Sequence, residues 1–402
     1  MAVGIIAEYN PFHNGHAHQI SEIKKIYGGE IVAVMSGSFT QRGSPAILNK
    51  FTRARLAVLG GCDLVFELPF VNAVRSAQDF ARGGIRLLES LGVVDTLAFG
   101  AEVTDLERLK IAAAAFDEKF FTEDLRRLMA QGISYAAAVT KILSEVTGLD
   151  EKLLRQPNTI LAIEYLRGLP ESISPLIIER IGAAYDDLTL SEKFSSASAI
   201  RAALYEQSPS WEKIAAQVSN ETVQALHEEK LSGLVNENLL FRPIIAKLLT
   251  SRADELRKIY GMTEGLEYRL LNAASFHIPN SSFLIDFLVG RRYTASRIRR
   301  LLLYFLLDVT AEEIAELDAA TCARVLAFNE RGQALLKKIS AQVVTKLTKH
   351  LNRRDLYERR RELEPYQKIL LFDVLATNLR GILFETPRPP QEDFSTSPQF
   401  VT

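Results

Sequence analysis

The first half of the chain alternates short apolar runs with longer segments that carry apolar residues at helical spacing. Five runs have the length and composition of buried strands: Val3–Ala7, Glu30–Met35, Asp63–Leu68, Thr96–Phe99 and Leu176–Ile181. Helical periodicity marks the segments between them, namely Ala17–Ile26, Lys50–Leu59, Ala77–Leu91 and several stretches between Asp105 and Leu169. This alternation predicts an α/β fold in which helices cover both faces of a parallel sheet.

The second half has a different pattern. From about Ser210 the strand signals fade, and helical patterns continue into the region from Leu335 to Asp355. The change predicts an α/β domain over residues 1–208 and a mostly α-helical domain over residues 209–384. Residues 385–402 are rich in proline and polar side chains, which is typical of a flexible tail.

Composition narrows the class of protein. The net charge of −1 excludes a basic surface over the whole molecule, so any nucleic-acid site must be a local patch. Cys62 and Cys322 show no pairing pattern, and the longest apolar run, Leu301–Leu307, is too short to cross a bilayer. The first residues lack the charged and apolar regions of a signal peptide. We therefore expect a cytoplasmic protein with no membrane partner.

Candidate chemistry is concentrated where the first strand ends. The motif His13-Asn14-Gly15-His16 lies between that strand and the next helix. In this position, His-x-Gly-His is typical of adenylylating enzymes of the nucleotidyltransferase superfamily, in which imidazole N–H groups stabilise charge at the α-phosphate. Gly15 lets the backbone approach the nucleotide, and the helix N-terminus favours phosphate. The sequence therefore predicts ATP as co-substrate, with His13 and His16 as catalytic residues.

Two other interpretations of these histidines stay open. His13, His16 and His18 could be metal ligands, although no acidic or cysteine partner lies nearby at ligand spacing. They could also do no more than cap the helix that follows them. Because the ligand set is incomplete, we predict no metal site.

A Gly/Ser-rich loop, Ser36–Pro45, follows the second strand. Ligands bind outside the carboxyl ends of parallel strands, so this loop suits a small polar substrate beside the nucleotide. Its candidate substrate residues are Ser36, Gly37, Gln41 and Arg42. An ordinary surface loop is the alternative. The helix after it begins with Lys50 and Arg53, which opposes the helix dipole and indicates either a functional position or a solvated charge.

Further candidates lie near the ends of the later strands. Gly100 permits close passage of a base or ribose. Asn158 directly precedes a helical segment, so it is either a nucleotide contact or a helix N-cap, and the sequence alone favours the cap. Ser195 and Ser196 open a helix that contains Arg201. Hydroxyls, N-terminal amides and a guanidinium together form a cradle for phosphate.

The densest basic segment of the second half surrounds Tyr293. It predicts a local phosphate-binding surface, with the tyrosine available to stack on a base. The candidate RNA contacts are Arg291, Arg292, Arg297, Arg299 and Arg300. A solvated helix face is the alternative.

Taken together, these motifs resemble the bacterial tRNA(Met) cytidine acetate ligase family. The resemblance covers the chain to about Leu379 and rests on Glu8–His16, Met35–Ala46, Asp63–Pro69, Phe99–Glu102 and Tyr293–Arg300. It implies a Rossmann-like nucleotidyltransferase domain followed by a tRNA-binding helical domain. The implied enzyme activates acetate with ATP as acetyl-adenylate, and the N4 amine of the wobble cytidine of elongator tRNA(Met) then takes the acetyl group. Mg²⁺ is expected with the ATP phosphates, and no obligatory protein partner is predicted.

The resemblance also implies which residues contact ATP. They are Gly100, Asn158 and Arg180, together with an unbroken stretch of the first strand and turn: Val3, Gly4, Ile5, Ile6, Ala7, Glu8, Tyr9, Asn10, Pro11, Phe12, His13, Asn14, Gly15 and His16. This shifts the interpretation of Asn158 from a cap towards a ligand. Because the resemblance implies tRNA as the substrate, the basic segment around Tyr293 becomes a candidate tRNA surface.

The chain departs from the family pattern at two places. Ala184-Tyr185-Asp186-Asp187 stands where Gly-Tyr-His-Asp is more common, which puts a catalytic role at Asp186 in doubt. Ser38 and Ser44 stand where Asn and Glu are more usual.

Two rival functions remain at this point. One is an adenylyltransferase that acts on a small phosphorylated cofactor precursor, and the large helical extension argues against it. The other is a non-enzymatic RNA-binding protein, and the intact His13, Gly15, His16 and Arg201 argue against that.

Overall fold

The computed structural model describes residues 2–180, 189–190, 194–263, 265–276, 280–290, 293–358, 362–390 and 392–402. Within these ranges, eight strands form one sheet: β1 (Ala2–Ala7), β2 (Ile31–Ser36), β3 (Leu64–Leu68), β4 (Val94–Ala101), β5 (Ser174–Glu179), β6 (Ala323–Phe328), β7 (Val343–Val344) and β8 (Gln399–Phe400). The first five confirm the five apolar runs of the sequence.

Helices cover the sheet and dominate the second half. Those of the first half are α1 (Asn14–Tyr27), α2 (Lys50–Leu59), α3 (Phe70–Ala73), α4 (Ala77–Ser90), α5 (Leu106–Ala115), α6 (Lys119–Ala130), α7 (Tyr135–Thr147), α8 (Glu151–Leu154), α9 (Pro157–Gly168) and α10 (Ala197–Tyr205). The later ones are α11 (Trp211–Ala215), α12 (Asn220–Leu231), α13 (Phe241–Thr250), α14 (Ala253–Leu256), α15 (Leu266–Ala273), α16 (Ser281–Leu288), α17 (Ala295–Leu306), α18 (Ala311–Leu317), α19 (Glu330–Leu336), α20 (Pro365–Gly381) and α21 (Glu392–Ser395). Short 3₁₀ turns lie at Glu237–Leu240, Leu347–Lys349 and Arg353–Leu356. In the described part of the chain, no helix combines the length and the apolar character needed to span a membrane.

The parallel strands place a crevice at one edge of the sheet. β1 to β5 run parallel in the order β5-β4-β1-β2-β3. In β1, Ile5 pairs with Ala33 of β2, and Val3 pairs with Thr96 of β4 on the other side. The chain moves outward from β1 in both directions, so the connections after β1 and β4 diverge and leave a crevice at their carboxyl ends. This topology confirms the Rossmann-like α/β fold.

Two strands of the sheet, β6 and β7, come from the region that the sequence predicts to be mostly α-helical. β6 runs antiparallel to β3, with Ala327 opposite Val65. Its run of residues is short and apolar, and periodicity alone does not separate such a run from a buried helix segment. The sheet therefore draws strands from both sides of the predicted boundary at residue 208.

The C-terminal segment also differs from its sequence-based prediction, a flexible tail over residues 385–402. Its strand β8 pairs with β6. The carboxylate of Asp393 is fully buried and forms ion pairs of 2.7 Å with both Lys50 and Arg324. The composition of the segment reflects its prolines and polar residues, but it gives no sign of the buried acid that fastens the segment to the sheet.

The hydrophobic core of the helical part continues into the first part of the chain. Phe39, Phe70 and Val74 pack in the same cluster as apolar residues of α17 and α20. Tyr304 of α17 donates a hydrogen bond to the carbonyl of Val74. This packing holds α17 against the loops that follow β2 and β3, beside the crevice.

Candidate active site

A cleft of about 570 Å³ lies at the carboxyl ends of β1 and β4. Of the residues predicted from the sequence, those that line it are Ile5, Ile6, Ala7, Glu8, Tyr9, Asn10, His13, His16, Gln41, Arg42, Gly100, Asn158, Arg180, Ser196, Arg201 and Arg300. Gly15 and Ser195 line a smaller adjoining pocket. The residues outside both linings are Val3, Gly4, Pro11, Phe12, Asn14, Ser36, Gly37, Arg297 and Arg299. Arg291, Arg292 and the departure at Ala184-Tyr185-Asp186-Asp187 lie outside the described residues.

His13 and His16 form a reciprocal cap at the N-terminus of α1. His13 Nδ1 accepts the backbone N–H of Gly15 at 3.0 Å, and His16 Nδ1 accepts the backbone N–H of His13 at 3.3 Å. The two rings stack with their centroids 3.8 Å apart. Because each Nδ1 accepts a hydrogen bond, each neutral imidazole carries its proton on Nε2. Both histidines therefore cap α1, and capping fixes the tautomer that each ring presents as it lines the cleft.

Both imidazoles are neutral in the free protein. Burial, together with the positive charges of Arg180 and Arg201, lowers the pKa of His13 to about 3. Burial, His13 and Arg180 lower the pKa of His16. A bound triphosphate would oppose this, because its negative charge favours protonated imidazole and strengthens hydrogen bonds from Nε2–H.

The position of the His13 ring, and not the need for space beside a ligand, explains why residue 15 is a glycine. A methyl group at this position would lie 2.9 Å from His13 Cε1, so the ring could not keep its stacked position. On the metal interpretation, no group of three His, Cys, Asp or Glu side chains within the described ranges is placed to hold an ion.

Asn158 lines the cleft and does not cap α9, so the preference for the cap is wrong. The N-cap of α9 is Gln156. Asn158 Nδ2 donates to Glu102 Oε1 at 2.6 Å, and Thr159 Oγ1 donates to Glu102 Oε2 at 3.0 Å. Arg180 Nε lies 3.7 Å from Glu102 Oε1. Glu102, which directly follows β4, therefore orients two side chains implied to contact ATP.

Arg201 connects the serine cluster to the turn after β1. Ser196 caps α10 and accepts a backbone N–H of its first turn at 3.0 Å. Arg201 Nη1 donates to the carbonyl of Asn10 at 2.6 Å, and Nη2 donates to Ser198 Oγ at 3.1 Å. The N-terminus of α10 and this guanidinium thus lie on the same cleft as the histidine pair, an arrangement that suits a triphosphate.

The loop after β2 reaches the cleft through Gln41 and Arg42. The backbone N–H of Gln41 donates to Glu8 Oε1 at 2.7 Å. Its side-chain Nε2 donates to the carbonyl of Arg75 at 2.7 Å, so Gln41 is held from both sides. Gln41 therefore links the turn after β1 to the segment that follows β3.

Ser36 and Gly37 support the cleft from behind. Their carbonyls accept hydrogen bonds from the buried guanidinium of Arg53. Arg53 Nη1 also donates to the carbonyl of Glu8 at 2.6 Å. Lys50 is buried as well, in an ion pair of 2.7 Å with Glu67. The basic first turn of α2 is therefore not solvated; Arg53 joins the turns after β1 and β2.

The basic segment around Tyr293 divides among different environments. The guanidinium of Arg297 stacks over the Tyr293 ring, 5.0 Å from its centroid. Arg299 forms an ion pair of 2.8 Å with Glu237. Arg300 lines the cleft, and its Nη1 lies 3.4 Å from a carbonyl of the loop after β2. Arg300 is therefore part of the cleft lining and does not belong to a basic surface apart from it.

Several residues of the cleft were missed in the sequence: Gln19, Ser76, Ala77, Phe80, Phe99, Arg155, Tyr165 and Ser296 are the main ones. Ser76 carried a signal, because it follows the third strand and opens a helix as Ser196 does. Ser296 lies within the Tyr293–Arg300 motif, but its place in the cleft could not be predicted, because it depends on the packing of α17 against the loops after β2 and β3.

Comparisons with known proteins identify the family and the fold of this chain. The model of the family described as HIGH Nucleotidyl Transferase matches residues 1–393. The chain is similar to the tRNA(Met) cytidine acetate ligase of Thermoanaerobacter sp. (strain X514), with 38% identity over 361 residues, 87% of this chain and 89% of the relative. It is also similar to the tRNA(Met) cytidine acetate ligase of Halothermothrix orenii, with 34% identity over 414 residues, 98% of this chain and 97% of the relative. Among solved structures, Thermotoga maritima TmcAL bound with alpha-thio ATP superposes with a TM-score of 0.85 at 30% identity, over 99% of both chains.

Proposed function

This chain belongs to the HIGH nucleotidyl transferase family and to the tRNA(Met) cytidine acetate ligases, and we propose that it acetylates RNA with acetate that it has itself activated. It uses ATP to convert acetate to acetyl-adenylate and transfers the acetyl group to the N4 amine of the wobble cytidine of elongator tRNA(Met). The observation that carries this proposal is the neutral, reciprocally capped pair His13–His16 at the carboxyl end of β1.

In the first half-reaction, an acetate oxygen attacks the α-phosphorus of ATP and pyrophosphate leaves. Negative charge grows on the α-phosphate and bridging oxygens, and the Nε2–H donors of His13 and His16 stabilise it. Arg180, Arg201 and the N-termini of α1 and α10 favour the triphosphate. Because the tautomers are fixed by backbone hydrogen bonds before ATP binds, little reorganisation accompanies the reaction.

In the second half-reaction, the cytidine amine attacks the carbonyl carbon of acetyl-adenylate and AMP leaves. Residues 1–208 supply the ATP site of this proposal, and residues 209–384 supply the tRNA surface. Its contacts are Arg291, Arg292, Arg297 and Arg299, whereas Arg300 extends from the helical part into the cleft. Phosphate contacts of this kind position an RNA without taking part in the chemistry.

Mg²⁺ belongs to the proposal as a partner of the ATP phosphates. The cleft lining, as far as it is described, has one carboxylate, that of Glu8. Phosphate oxygens and water would therefore supply most of the ligands of the ion, and the ion would neutralise part of the triphosphate charge. A cytoplasmic location follows from the substrate, because elongator tRNA(Met) is used in translation.

Pyrophosphate release with acetate, before any RNA is added, tests the proposal. We expect exchange of label between pyrophosphate and ATP to require acetate, and AMP release to require tRNA in addition. An adenylyltransferase for a phosphorylated precursor would exchange pyrophosphate only with that precursor. An RNA-binding protein would exchange none, and either result would contradict the proposal.

A further inference from the structure

Glu8 is an isolated acid in a basic cleft. It is the only residue with a carboxylate among the described lining residues, whereas five arginines share that lining: Arg42, Arg155, Arg180, Arg201 and Arg300. Within the described ranges, no ion pair joins Glu8 to any of them. Its Oε1 instead accepts the backbone N–H of Gln41 at 2.7 Å. The negative charge of Glu8 favours the charged form of the buried Arg53 behind the cleft, but it is not used up by an ion pair with an arginine of the described lining.

The position of Glu8 in the sheet places it between two sides of the cleft. Glu8 directly follows β1, the central strand of the order β5-β4-β1-β2-β3. Gly100, near the end of β4, and Arg180, directly after β5, form one side with the histidine pair. The loops after β2 and β3, together with α17, form the other.

The backbone of Gln41 connects Glu8 to the side of the cleft that is formed by the loops after β2 and β3 and by α17. Its N–H donates to Glu8 Oε1, and its carbonyl lies 3.4 Å from Arg300 Nη1. The backbone of Glu8 is fixed as well, because Arg53 donates to its carbonyl at 2.6 Å. The carboxylate is thus held where a group delivered along α17 would meet a nucleotide bound at His13 and His16.

We propose that Glu8 is the catalytic residue that binds and deprotonates the amine of the target cytidine; this inference rests on the proposed function. A carboxylate accepts a hydrogen bond from cytosine N4, a donor for which uracil has a carbonyl oxygen instead. Because Oε1 is engaged by Gln41, Oε2 takes the N4–H. The same contact selects cytidine and orients its amine towards the acyl group.

Acetyl transfer to the cytidine forms one bond, breaks another and releases one proton. The N4 lone pair forms a bond to the carbonyl carbon of acetyl-adenylate, and the bond from that carbon to the phosphate oxygen breaks. AMP leaves with that electron pair. One N4 proton passes to Glu8 and from there to solvent, which leaves a neutral amide.

Glu8→Gln tests this inference in the full-length protein. The amide keeps an oxygen for the N–H of Gln41, but it loses the charge and the basicity and turns an NH₂ group towards the cytidine amine. Enzyme loaded with acetyl-adenylate from ATP and labelled acetate is mixed with elongator tRNA(Met) transcript in a single turnover. We expect acetyl transfer to fall on the order of 10²-fold and acetyl-adenylate formation to fall by less than about tenfold. The control is Glu89→Gln, which makes the same substitution at an exposed position of α4 and also removes one acid.

Other results would contradict either the role of Glu8 or the proposed function, and they can be told apart. Equal losses in both half-reactions would mean that Glu8 contacts ATP, and unchanged transfer would mean that it contacts neither substrate; both overturn the inference. If Glu8→Gln does not fold, Glu8→Asp keeps the charge one methylene further back, and its transfer must still fall more than its adenylation. If the unaltered protein forms acetyl-adenylate but acetylates no cytidine, the proposed function fails instead.

Discussion

His13 and His16 each use one ring nitrogen to hold the start of α1 and leave the other for the cleft. Capping and catalysis, which the sequence presents as alternatives, are therefore compatible in the same side chains. The motif identified these residues because strand, turn and helix are local. It did not reveal why Gly15 is needed, since that depends on where the His13 ring lies. Nor did it reveal Glu102, whose partners are 56 and 57 positions away along the chain.

Replacing His16 separates its two tasks. His16→Ala should lower acetate-dependent pyrophosphate exchange on the order of 10²-fold, as for the loss of one donor to a developing negative charge. His16→Asn keeps an acceptor near the position of Nδ1 and should restore the helix cap without restoring exchange. Circular dichroism and exchange kinetics on both variants provide the measurement. Full exchange in folded His16→Ala would remove His16 from the mechanism.

The protonation states of the pair are a second prediction. Because the folded protein holds the pKa of His13 at about 3 and lowers that of His16, both rings should stay neutral from pH 8 down to pH 5. An unperturbed histidine takes up its proton near pH 6.5 in that interval. NMR of histidine-labelled protein, assigned with His13→Asn and His16→Asn, should show two ring signals that do not titrate. Titration of either signal near pH 6.5 would contradict the neutral pair.

Among the helices and strands, local pattern predicted those that build the side of the cleft with the histidine pair. β1 to β5 were predicted because each is an apolar run bounded by helical periodicity. β6 was missed, because one short apolar run within a helical region has no periodicity of its own. The contribution of α17 was predicted only as a basic surface. Its approach to the loops after β2 and β3 depends on Phe39, Phe70 and Tyr304, which are far apart in sequence.

Two arginines one turn apart on α17 should behave differently. Arg297→Gln should weaken tRNA binding, reduce its salt dependence by about one counterion and spare acetyl-adenylate formation, because its guanidinium stacks on Tyr293 outside the cleft. Arg300→Gln should lower both half-reactions, because its side chain lines the cleft. Filter binding against salt concentration and pyrophosphate exchange measure the two effects. If both variants affect only tRNA binding, Arg300 belongs to the RNA surface after all.

The molecule as a whole is held together by contacts between distant parts of the chain. One sheet includes strands from residues 2–179 and from residues 323–400, and one core joins the helical part to the loops of the cleft. Lys50, Glu67, Arg324 and Asp393 form a buried ionic cluster that brings the C-terminal segment against α2, β3 and β6. Composition predicted a flexible tail, because it registers the average character of a segment and not a single buried partner.

Asp393→Asn should therefore destabilise the protein. The change leaves the buried cations Lys50 and Arg324 with one carboxylate fewer, and breaking a buried ion pair costs about 3–5 kcal/mol. Urea denaturation should show this loss of unfolding free energy, whereas the substitution Glu385→Gln at an exposed position should cause almost none. Equal stability of both variants would mean that the segment is not fastened as described.

The effect of Asp393→Asn on the free energy of unfolding should depend on pH. Burial opposes ionisation of Asp393, but Arg324 and Lys50 outweigh it and hold its pKa at about 2. The unfolded carboxyl titrates near pH 3.9, so its contribution to stability is present above about pH 4 and is lost as the pH falls towards 2. The stability difference between the unaltered protein and Asp393→Asn should narrow over that interval. A difference that stays constant down to pH 2 would contradict the ionised cluster.

The central claim is that this protein makes an acetyl-adenylate from acetate and gives the acetyl group to a tRNA cytidine. Mass spectrometry of nucleosides from an elongator tRNA(Met) transcript incubated with the protein, ATP and isotopically labelled acetate measures this directly. We predict labelled N4-acetylcytidine at the wobble position, dependent on ATP and formed on the order of 10²-fold more slowly with His16→Ala. Unmodified cytidine in a reaction that consumes ATP and acetate, or acetylcytidine without the label, would contradict the claim.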